Sequence, residues 1–416
     1  MKLINATAIG LAIVSAASAA NAQNYGGQSA PAPQPMAKAE PAAPKIKISP
    51  KATPAIVALQ QAVNANDVAN IPAKLAAAQA VAQTKEDRYV IAQLQLKAAL
   101  AANDNNAAAV AVDAVAASGF VDTATTAQLY SALGATFYNA KQYQQAASFF
   151  TRAAALSPSD PAPLKLLSEA QNAQGHQAEA AATLMKVIQM TAASGQKPGE
   201  DLYKRALSLA YEAKSPTAVD IGRQWISAYP SAASWRNAIA IYRNYNQPDV
   251  ESTLDLLRVM RAAKALSTPG DYRLYATAAA EQLNYNEAQK IIDEGIQAKV
   301  VDPASAEFRD VVTPLKTKAK ATAADLVEAT KAAKSGMALL RIGDRYYAMG
   351  DYAKAVALYK MALGKPGVDA SIANLHIGMA LAVAGDKAGA TAALNAVTGP
   401  RAEVAKYWLL YVQQQG

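Results

Sequence analysis

The sequence predicts an all-α protein, and three observations lead to that prediction. Hydrophobic residues make up 52% of the 416-residue chain but aromatic residues only 6%, so alanine supplies much of the apolar character. Alanine has the highest helix propensity, whereas strands favour β-branched and aromatic residues in alternation. From about Pro54 onward, apolar residues recur with helical periodicity in segments of roughly 10 to 16 residues, and short polar or Gly/Pro breaks separate these segments.

Charge and cysteine content exclude several classes of site. The formal net charge is +8, but charged residues are only 17% of the chain, which is too dilute for a dense nucleic-acid-binding surface. The chain has no cysteine, which excludes disulfides, thiolate metal sites and cysteine nucleophiles.

The first 22 residues have the three parts of a secretory signal peptide. Lys2 gives a basic start, residues 6–20 form a short apolar core, and Ala20-Asn21-Ala22 is an A-x-A cleavage site. The apolar core is shorter than the roughly 20 residues that cross a bilayer, so it does not predict a membrane anchor. We expect residues 1–22 to be a cleavable signal peptide and the protein to be periplasmic, with full secretion as the alternative.

Residues 23–53 are rich in Pro, Ala and Lys and are predicted to be a disordered linker, because proline at this density prevents helix formation. The segment contains a single glutamate, Glu40, and four lysines, which are Lys38, Lys45, Lys47 and Lys51. A solvated spacer is the favoured interpretation, and a basic tether to an anionic envelope surface is the alternative.

The clearest internal repeat runs over residues 126–158. The residues that form the pattern are Tyr130, Leu133, Gly134, Phe137, Tyr143, Ala146, Phe150, Ala153 and Pro158. This pattern resembles the tetratricopeptide repeat (TPR) signature, which is W-x-x-L-G-x-x-Y followed by A-x-x-x-F and P. At some aromatic positions of the signature this chain has a different aromatic residue. Gly134 and Ala146 are small, so they are expected where two antiparallel helices cross closely.

Further units follow at the same period. Ser168 comes 34 residues after Gly134, and Gly378 comes 35 residues after Gly343. The turns Gly350-Asp351 and Gly385-Asp386 each supply a helix stop and then a helix start. The resemblance is good over residues 126–300 and 336–400. It implies an alpha-alpha superhelix, that is, a TPR-like solenoid of antiparallel helix pairs.

The pattern divides the rest of the chain into segments of different regularity. They are degenerate helical repeats over 54–118, a TPR-like array over 119–302, a Lys-rich irregular spacer over 303–335 that Pro314 interrupts, and C-terminal repeats over 336–416 with a capping helix at about 402–413.

No group of residues in the sequence predicts catalysis, a metal site or a cofactor. The two histidines, His176 and His376, lie 200 positions apart and neither lies beside an acidic cluster in the sequence. Residues 194–197 match the S-x-x-K motif but lie in a loop without a K-T-G partner. Basic and aromatic residues alternate over 235–245, a spacing better explained by a helix core than by nucleic-acid binding. We therefore expect a protein that is not an enzyme.

The resemblance implies a concave binding face formed by the first helix of each pair. The residues predicted to line it are Ser131, Tyr138, Asn139, Lys165, Glu169, Asn172, Arg273, Glu281, Asp344, Tyr347, Leu375 and Met379. Ser131 and Ala135 stand where peptide-binding members of the family have a Lys and Asn clamp for a terminal carboxylate, so that mode of recognition is not expected. The apolar C-terminal part of the face suits an amphipathic helix or a hydrophobic peptide, or contacts neighbouring helices.

The resemblance and the signal peptide together suggest a periplasmic TPR scaffold in cell-envelope assembly or maintenance. Its expected partners are other envelope proteins or peptides, with no nucleic acid and with peripheral contact to an anionic envelope surface. Two alternatives stay open at this level. One is a polysaccharide-handling factor or enzyme with the helical groove as its substrate site, which requires acidic residues that converge in one cleft. The other is a cell-wall or membrane-surface binder that acts through the basic N-terminal arm.

Overall fold

A computed structural model of the chain describes residues 46–415, so the predicted signal peptide and most of the predicted linker lie outside the described residues. Residues 46–415 contain 21 α-helices and no strand, which confirms the predicted all-α class. The chain forms two compact units, one that ends at Pro198 and one that begins at Gly199. This division falls inside the segment 119–302 that the sequence pattern grouped as one array.

The helices of the first unit are Thr53–Asn64 (α1), Ile71–Val81 (α2), Lys85–Ala101 (α3), Asn105–Ala117 (α4), Thr123–Asn139 (α5), Tyr143–Leu156 (α6), Ala162–Ala173 (α7) and Gln177–Ala193 (α8). Those of the second unit are Glu200–Glu212 (α9), Thr217–Ala228 (α10), Ala232–Asn246 (α11), Val250–Ala262 (α12), Pro269–Glu281 (α13), Tyr285–Gln297 (α14), Ala306–Lys318 (α15), Ala323–Ala332 (α16), Gly336–Met349 (α17), Tyr352–Leu363 (α18), Ala370–Ala384 (α19), Lys387–Asn395 (α20) and Arg401–Gln414 (α21).

Local side chains set where many helices begin and end. Thr84, Ser231, Thr268 and Thr322 each form a capping box, in which the side chain accepts a hydrogen bond from a first-turn amide while the third helical residue bonds back. Gly350 and Gly385 end α17 and α19 with φ of 88°, a left-handed conformation that glycine adopts without steric cost. These two turns are the ones that the sequence predicted.

Small residues stand where paired helices cross, as the repeat pattern predicted. A Cβ atom built on Gly134 would lie 2.6 Å from the ring of Phe150 in the partner helix, and one on Gly378 would lie 2.5 Å from Cγ of Leu394. Ser168 fills the corresponding position in α7 and donates a hydrogen bond to the carbonyl of Ala180 at 3.0 Å. These contacts show TPR-like helix pairs.

The end of the predicted linker is part of the first unit. The buried carboxylate of Asp87 accepts hydrogen bonds from the amide and hydroxyl of Ser49, at 2.8 and 2.7 Å, and from the amides of Gln83 and Thr84. Burial would raise the pKa of Asp87, but these hydrogen bonds outweigh it and lower the pKa to about 2. Ala52 is also buried. Ordered structure therefore begins before Pro54, because Ser49 is hydrogen-bonded to the start of α3.

The segment predicted to be an irregular spacer is helical. It forms α15 and α16, whose buried residues Phe308, Leu315 and Leu326 belong to the core of the second unit. Pro314 lies inside α15 and does not end it. Pro314 is exposed and comes near the end of the helix, where the loss of one amide donor affects few hydrogen bonds.

Candidate functional site

The predicted face is accessible in the first unit. Its residues lie on α5 and α7, two helices that contact each other directly. Asn139 and Lys165 are exposed, while Ser131, Glu169 and Asn172 are half-buried. Tyr138 is also half-buried and its ring packs edge-on against Tyr143 at 5.2 Å between centroids. The six positions therefore form a polar surface of neighbouring helices with one aromatic side chain.

The two predicted positions on α13 differ from each other. Arg273 is engaged within its own unit, since its Nε donates to the carbonyl of Glu307 at 2.8 Å and its Nη2 lies 2.7 Å from Oδ2 of Asp310. Glu281 is exposed at the end of α13. Arg273 thus connects α13 to α15.

The prediction is wrong for the C-terminal positions of this face. Leu375, Met379 and Tyr347 are 0%, 1% and 5% exposed. Their helices are covered by other helices of the same unit, because α12 and α14 lie against α17 and α21 lies against α19. Side chains that the repeat pattern places on an open groove are here part of a core.

The last helix, α21, does more than cap the stack. Besides α19 and α20 it contacts α10 and α12, which precede it by more than a hundred residues. Tyr407 and Trp408 are both 0% exposed. The indole Nε1 of Trp408 donates to the carbonyl of Asp255 at 3.1 Å, and the Gln414 amide donates to the carbonyl of Ile226 at 3.0 Å. α21 therefore packs into the core of the second unit. The prediction that it is only a terminal capping helix is wrong.

A buried ionic network joins several helices of the second unit. Arg258 of α12 forms a bidentate pair with Glu287, at 2.9 Å from Nε and 2.7 Å from Nη2. Its Nη1 donates to Asp255 at 3.0 Å. Glu287 also accepts hydrogen bonds from the Tyr275 hydroxyl at 2.9 Å and the Asn284 amide at 2.6 Å. Fork-to-fork pairing of this kind is the strongest form of side-chain hydrogen bonding.

His376 of α19 lies between two carboxylates of the same network. Its Nδ1 is 3.1 Å from Oδ1 of Asp344 and its Nε2 is 3.4 Å from Oδ2 of Asp255, and the side chain is 1% exposed. Neither imidazole nitrogen makes a well-aligned hydrogen bond, so the two contacts are described as ion pairs. Oδ1 of Asp344 also accepts a hydrogen bond from Tyr359 at 2.8 Å.

The pKa values follow from these neighbours. Burial would lower the pKa of His376, but the charges of Asp344 and Asp255 outweigh it and raise the pKa to about 10. Burial would raise the pKa of Asp344, but His376 and Arg258 lower it to about 2. The imidazole is therefore protonated and Asp344 ionised throughout the neutral range.

This network holds helices together and lacks the features of a reactive site. A general base needs a free lone pair within reach of a substrate. His376 is protonated and buried, and the carboxylates of Asp255 and Glu287 are both paired with Arg258 inside the core. Within residues 46–415 no group of three or more histidine or acidic side chains is arranged to hold a metal ion. No helix in the same range is long and apolar enough to span a bilayer.

Comparisons with known proteins were made at the level of sequence and of structure. No family model and no curated protein matches the sequence. Among solved structures, the TPR2AB domain of yeast Sti1 in its pHSP90 complex is 13% identical, with 70% of this chain and 99% of that chain covered at a TM-score of 0.25.

Two other solved structures give similar values. PilF of Pseudomonas aeruginosa is 12% identical over 64% of this chain and 97% of that one, with a TM-score of 0.23. The pentatricopeptide repeat protein PPR10 from maize is 14% identical over 83% of this chain and 58% of that one, with a TM-score of 0.25. The chain is built of TPR-like helix pairs. The close helix crossings at Gly134 and Gly378 show this arrangement.

Sequence reasoning missed the network, although α12 carried a signal for it. Asp255 and Arg258 are separated by three positions within a helix whose neighbouring residues, including Leu254, Leu257 and Val259, are apolar. Opposite charges three positions apart lie on one face of a helix and can pair, and such pairing lowers the cost of burying them.

Proposed function

We propose that this protein is exported to the periplasm, where it binds other proteins through the exposed face of α5 and α7 and serves as a scaffold in the cell envelope. One observation supports this location for the binding face. The residues that the repeat pattern assigns to the face are exposed or half-buried on α5 and α7, whereas Tyr347 on α17 and Leu375 and Met379 on α19 are buried. In the second unit α12, α14 and α21 cover that surface, whereas Asn139 and Lys165 in the first unit are exposed.

The chemistry of the α5 and α7 face suits an extended polar peptide. Asn139 and Asn172 supply amide groups that both donate and accept hydrogen bonds, and Lys165 supplies a cation. Tyr138 offers an aromatic contact, a residue type that is enriched at the centre of interfaces. Because Ser131 and Ala135 replace a Lys and Asn clamp, recognition is proposed to involve the backbone and side chains of the partner and not its terminal carboxylate.

Site-specific crosslinking in living cells tests the proposed face. A photo-reactive residue at Tyr138 or Lys165 should give a discrete crosslinked product that mass spectrometry identifies. The matched control is the same residue at Ser148 of α6 or Glu179 of α8, which are exposed on the second helices of the same pairs. Equal products from both sets of positions, or no product from either, would contradict the proposal.

A second variant set measures the energetic role of the face. The change Lys165→Glu with Asn172→Ala should reduce capture of the crosslinked partner at least tenfold without a change in the unfolding transition, because both side chains are on the surface. Glu179→Ala is the control. Unchanged capture by the double variant would rule out this face.

Export is tested separately on the mature protein. N-terminal sequencing of protein from the periplasmic fraction should begin at Gln23, after the Ala20-Asn21-Ala22 site. A protein that keeps Met1 in the cytoplasmic fraction would contradict export.

The polysaccharide-handling alternative gains no support from the acidic residues. Asp255 and Glu287 are 0% exposed and paired with Arg258, so they converge in a core and not in a cleft. The alternative of binding through the basic arm concerns residues 23–53, most of which lie outside the described part of the chain.

A further inference from the structure

The second unit contains a cavity of about 290 Å³ between α11, α12 and α13, apart from the α5 and α7 face. Its apolar lining comes from three helices and consists of Ile239, Ala240, Leu257, Met260 and Leu274. Its polar lining consists of Arg236, Asn237, Arg243, Thr268 and Asp271. The lining thus combines apolar side chains with polar and charged groups, which is a combination that small-ligand sites use.

One of the two arginines is already neutralised. The Nε of Arg236 lies 3.1 Å from each carboxylate oxygen of Asp271. Asp271 also accepts hydrogen bonds from the amides of Ser267 and Thr268, at 3.1 and 2.9 Å. Burial would raise the pKa of Asp271, but these hydrogen bonds and that of Arg236 lower it. Asp271 is therefore ionised, and its charge is balanced by Arg236.

The other arginine has no such partner. Arg243 lies two helical turns after Arg236 on α11 and is half-buried, yet no ion pair or side-chain hydrogen bond joins it to another described residue. Burial lowers the pKa of its guanidinium, and the charge of Asp271 offsets this effect only in part. The cavity thus carries one surplus positive charge whose hydration is reduced by the surrounding protein.

We propose that this cavity binds a carboxylate that is attached to an apolar body, with Arg243 as the residue that pairs with the carboxylate. The planar guanidinium presents parallel N–H donors that match the two oxygens of a carboxylate. The apolar part of the ligand lies against Ala240, which is exposed, and Leu274, which is half-buried. A strongly hydrated dianion such as phosphate gains little here, because one cation and an apolar wall do not replace its hydration shell.

The ligand can be a free organic acid or an acidic side chain of another protein, since both present the same chemistry. Two probes separate these sources. One is 4-phenylbutyrate, a free carboxylate on an apolar body. The other is a short peptide blocked at both ends, with a single glutamate between leucines. The better binder indicates the source, and saturable binding of either one supports the proposal.

Titration of the full-length protein, followed by calorimetry and by methyl NMR, tests the site directly. The ε-methyl signal of Met260 should shift and saturate, while that of Met379, which is buried in another part of the core, should not. The amide 4-phenylbutyramide and inorganic phosphate should bind at least tenfold more weakly than the carboxylate, because neither combines a single negative charge with an apolar body.

Variants assign the binding to Arg243. Arg243→Gln should weaken binding of the carboxylate at least tenfold, and Arg243→Lys should weaken it less, because the lysine keeps the charge but loses the planar fork. Arg341→Gln, which changes an exposed arginine on α17, is the control and should bind like the parent chain. Circular dichroism confirms that each variant is folded. Absence of binding by both probes, equal binding of the amide, or unchanged binding by Arg243→Gln would overturn the proposal.

The proposed carboxylate site is independent of the proposed scaffold function. Crosslinks at Tyr138 and Lys165 report on the first unit, whereas the Met260 signal reports on the second. Either experiment can therefore fail without affecting the other.

Discussion

The Nδ1 atom of His376 lies 3.1 Å from the Asp344 carboxylate, and the two residues belong to the first helices of consecutive pairs, α19 and α17. On its other side, His376 is 3.4 Å from Asp255 of α12, which comes more than a hundred residues earlier. One imidazolium therefore links the C-terminal pairs to the middle of the chain. The charge of this one residue therefore stabilises the contact between α12, α17 and α19, although α12 is distant from the other two in sequence.

Replacement of His376 should destabilise the second unit. His376→Gln removes a buried cation from two carboxylates, and the loss of one partner from a buried ion pair typically costs about 3–5 kcal/mol. Urea unfolding followed by circular dichroism measures the change. His176→Gln is the control, because that side chain is half exposed and lies 3.8 Å from Glu179, so the expected change is within about 0.5 kcal/mol. Equal effects of the two changes would show that the network adds no stability.

Stability should depend on pH at both ends of the range. The pKa of His376 is raised to about 10 in the folded protein from 6.5, so its stabilisation is complete below pH 6.5 and is lost as the pH rises toward 10. The pKa of Asp344 is lowered to about 2 from 3.8, so its contribution is complete above pH 3.8 and is lost as the pH falls toward 2.

The difference in unfolding free energy between the parent chain and His376→Gln measures the first effect. This difference should be constant between pH 3.8 and 6.5 and should decrease steadily above pH 6.5; below pH 3.8 it should also decrease, because His376 is a main cause of the low pKa of Asp344. An NMR titration in which the His376 imidazole loses its proton near pH 6.5 would refute the assignment.

A methyl group at the crossing of α17 and α18 should be poorly tolerated. A Cβ atom at Gly343 would lie 2.7 Å from Cδ1 of Tyr359, and closer still to Cε1, so Gly343→Ala forces the ring or a helix to move. Overpacking of this kind costs about 1–3 kcal/mol. Gly270→Ala on α13 is the control, because the nearest atom to its Cβ is 3.9 Å away. Thermal unfolding should show a lower midpoint for Gly343→Ala alone.

Truncation of a side chain on α21 should show that this helix belongs to the core. Trp408→Ala removes a fully buried indole and should cost about 3–5 kcal/mol. Gln413→Ala on the same helix changes an exposed residue and should have little effect. If Trp408→Ala is as stable as the parent chain, α21 is a dispensable cap.

Several features were determined by the sequence alone. The helix segments over 54–118, the small residues at Gly134 and Gly378, and the glycine turns at Gly350 and Gly385 all occur where the pattern predicted. These features depend on local causes, namely helix propensity, capping, glycine backbone freedom and the spacing of apolar residues. Each of them acts within about one helix pair, so each can be recognised from residues close together in the chain.

Only the tertiary structure decided which repeat faces are open. The pattern placed Tyr347, Leu375 and Met379 on a groove, and it gave His376 no acidic neighbour, because Asp344 and Asp255 lie 32 and 121 positions away in sequence. Repeat periodicity identifies the inner face of each helix pair but not what lies against it. That is settled by packing between distant segments, here the contact of α21 with α10 and α12, which no local pattern encodes.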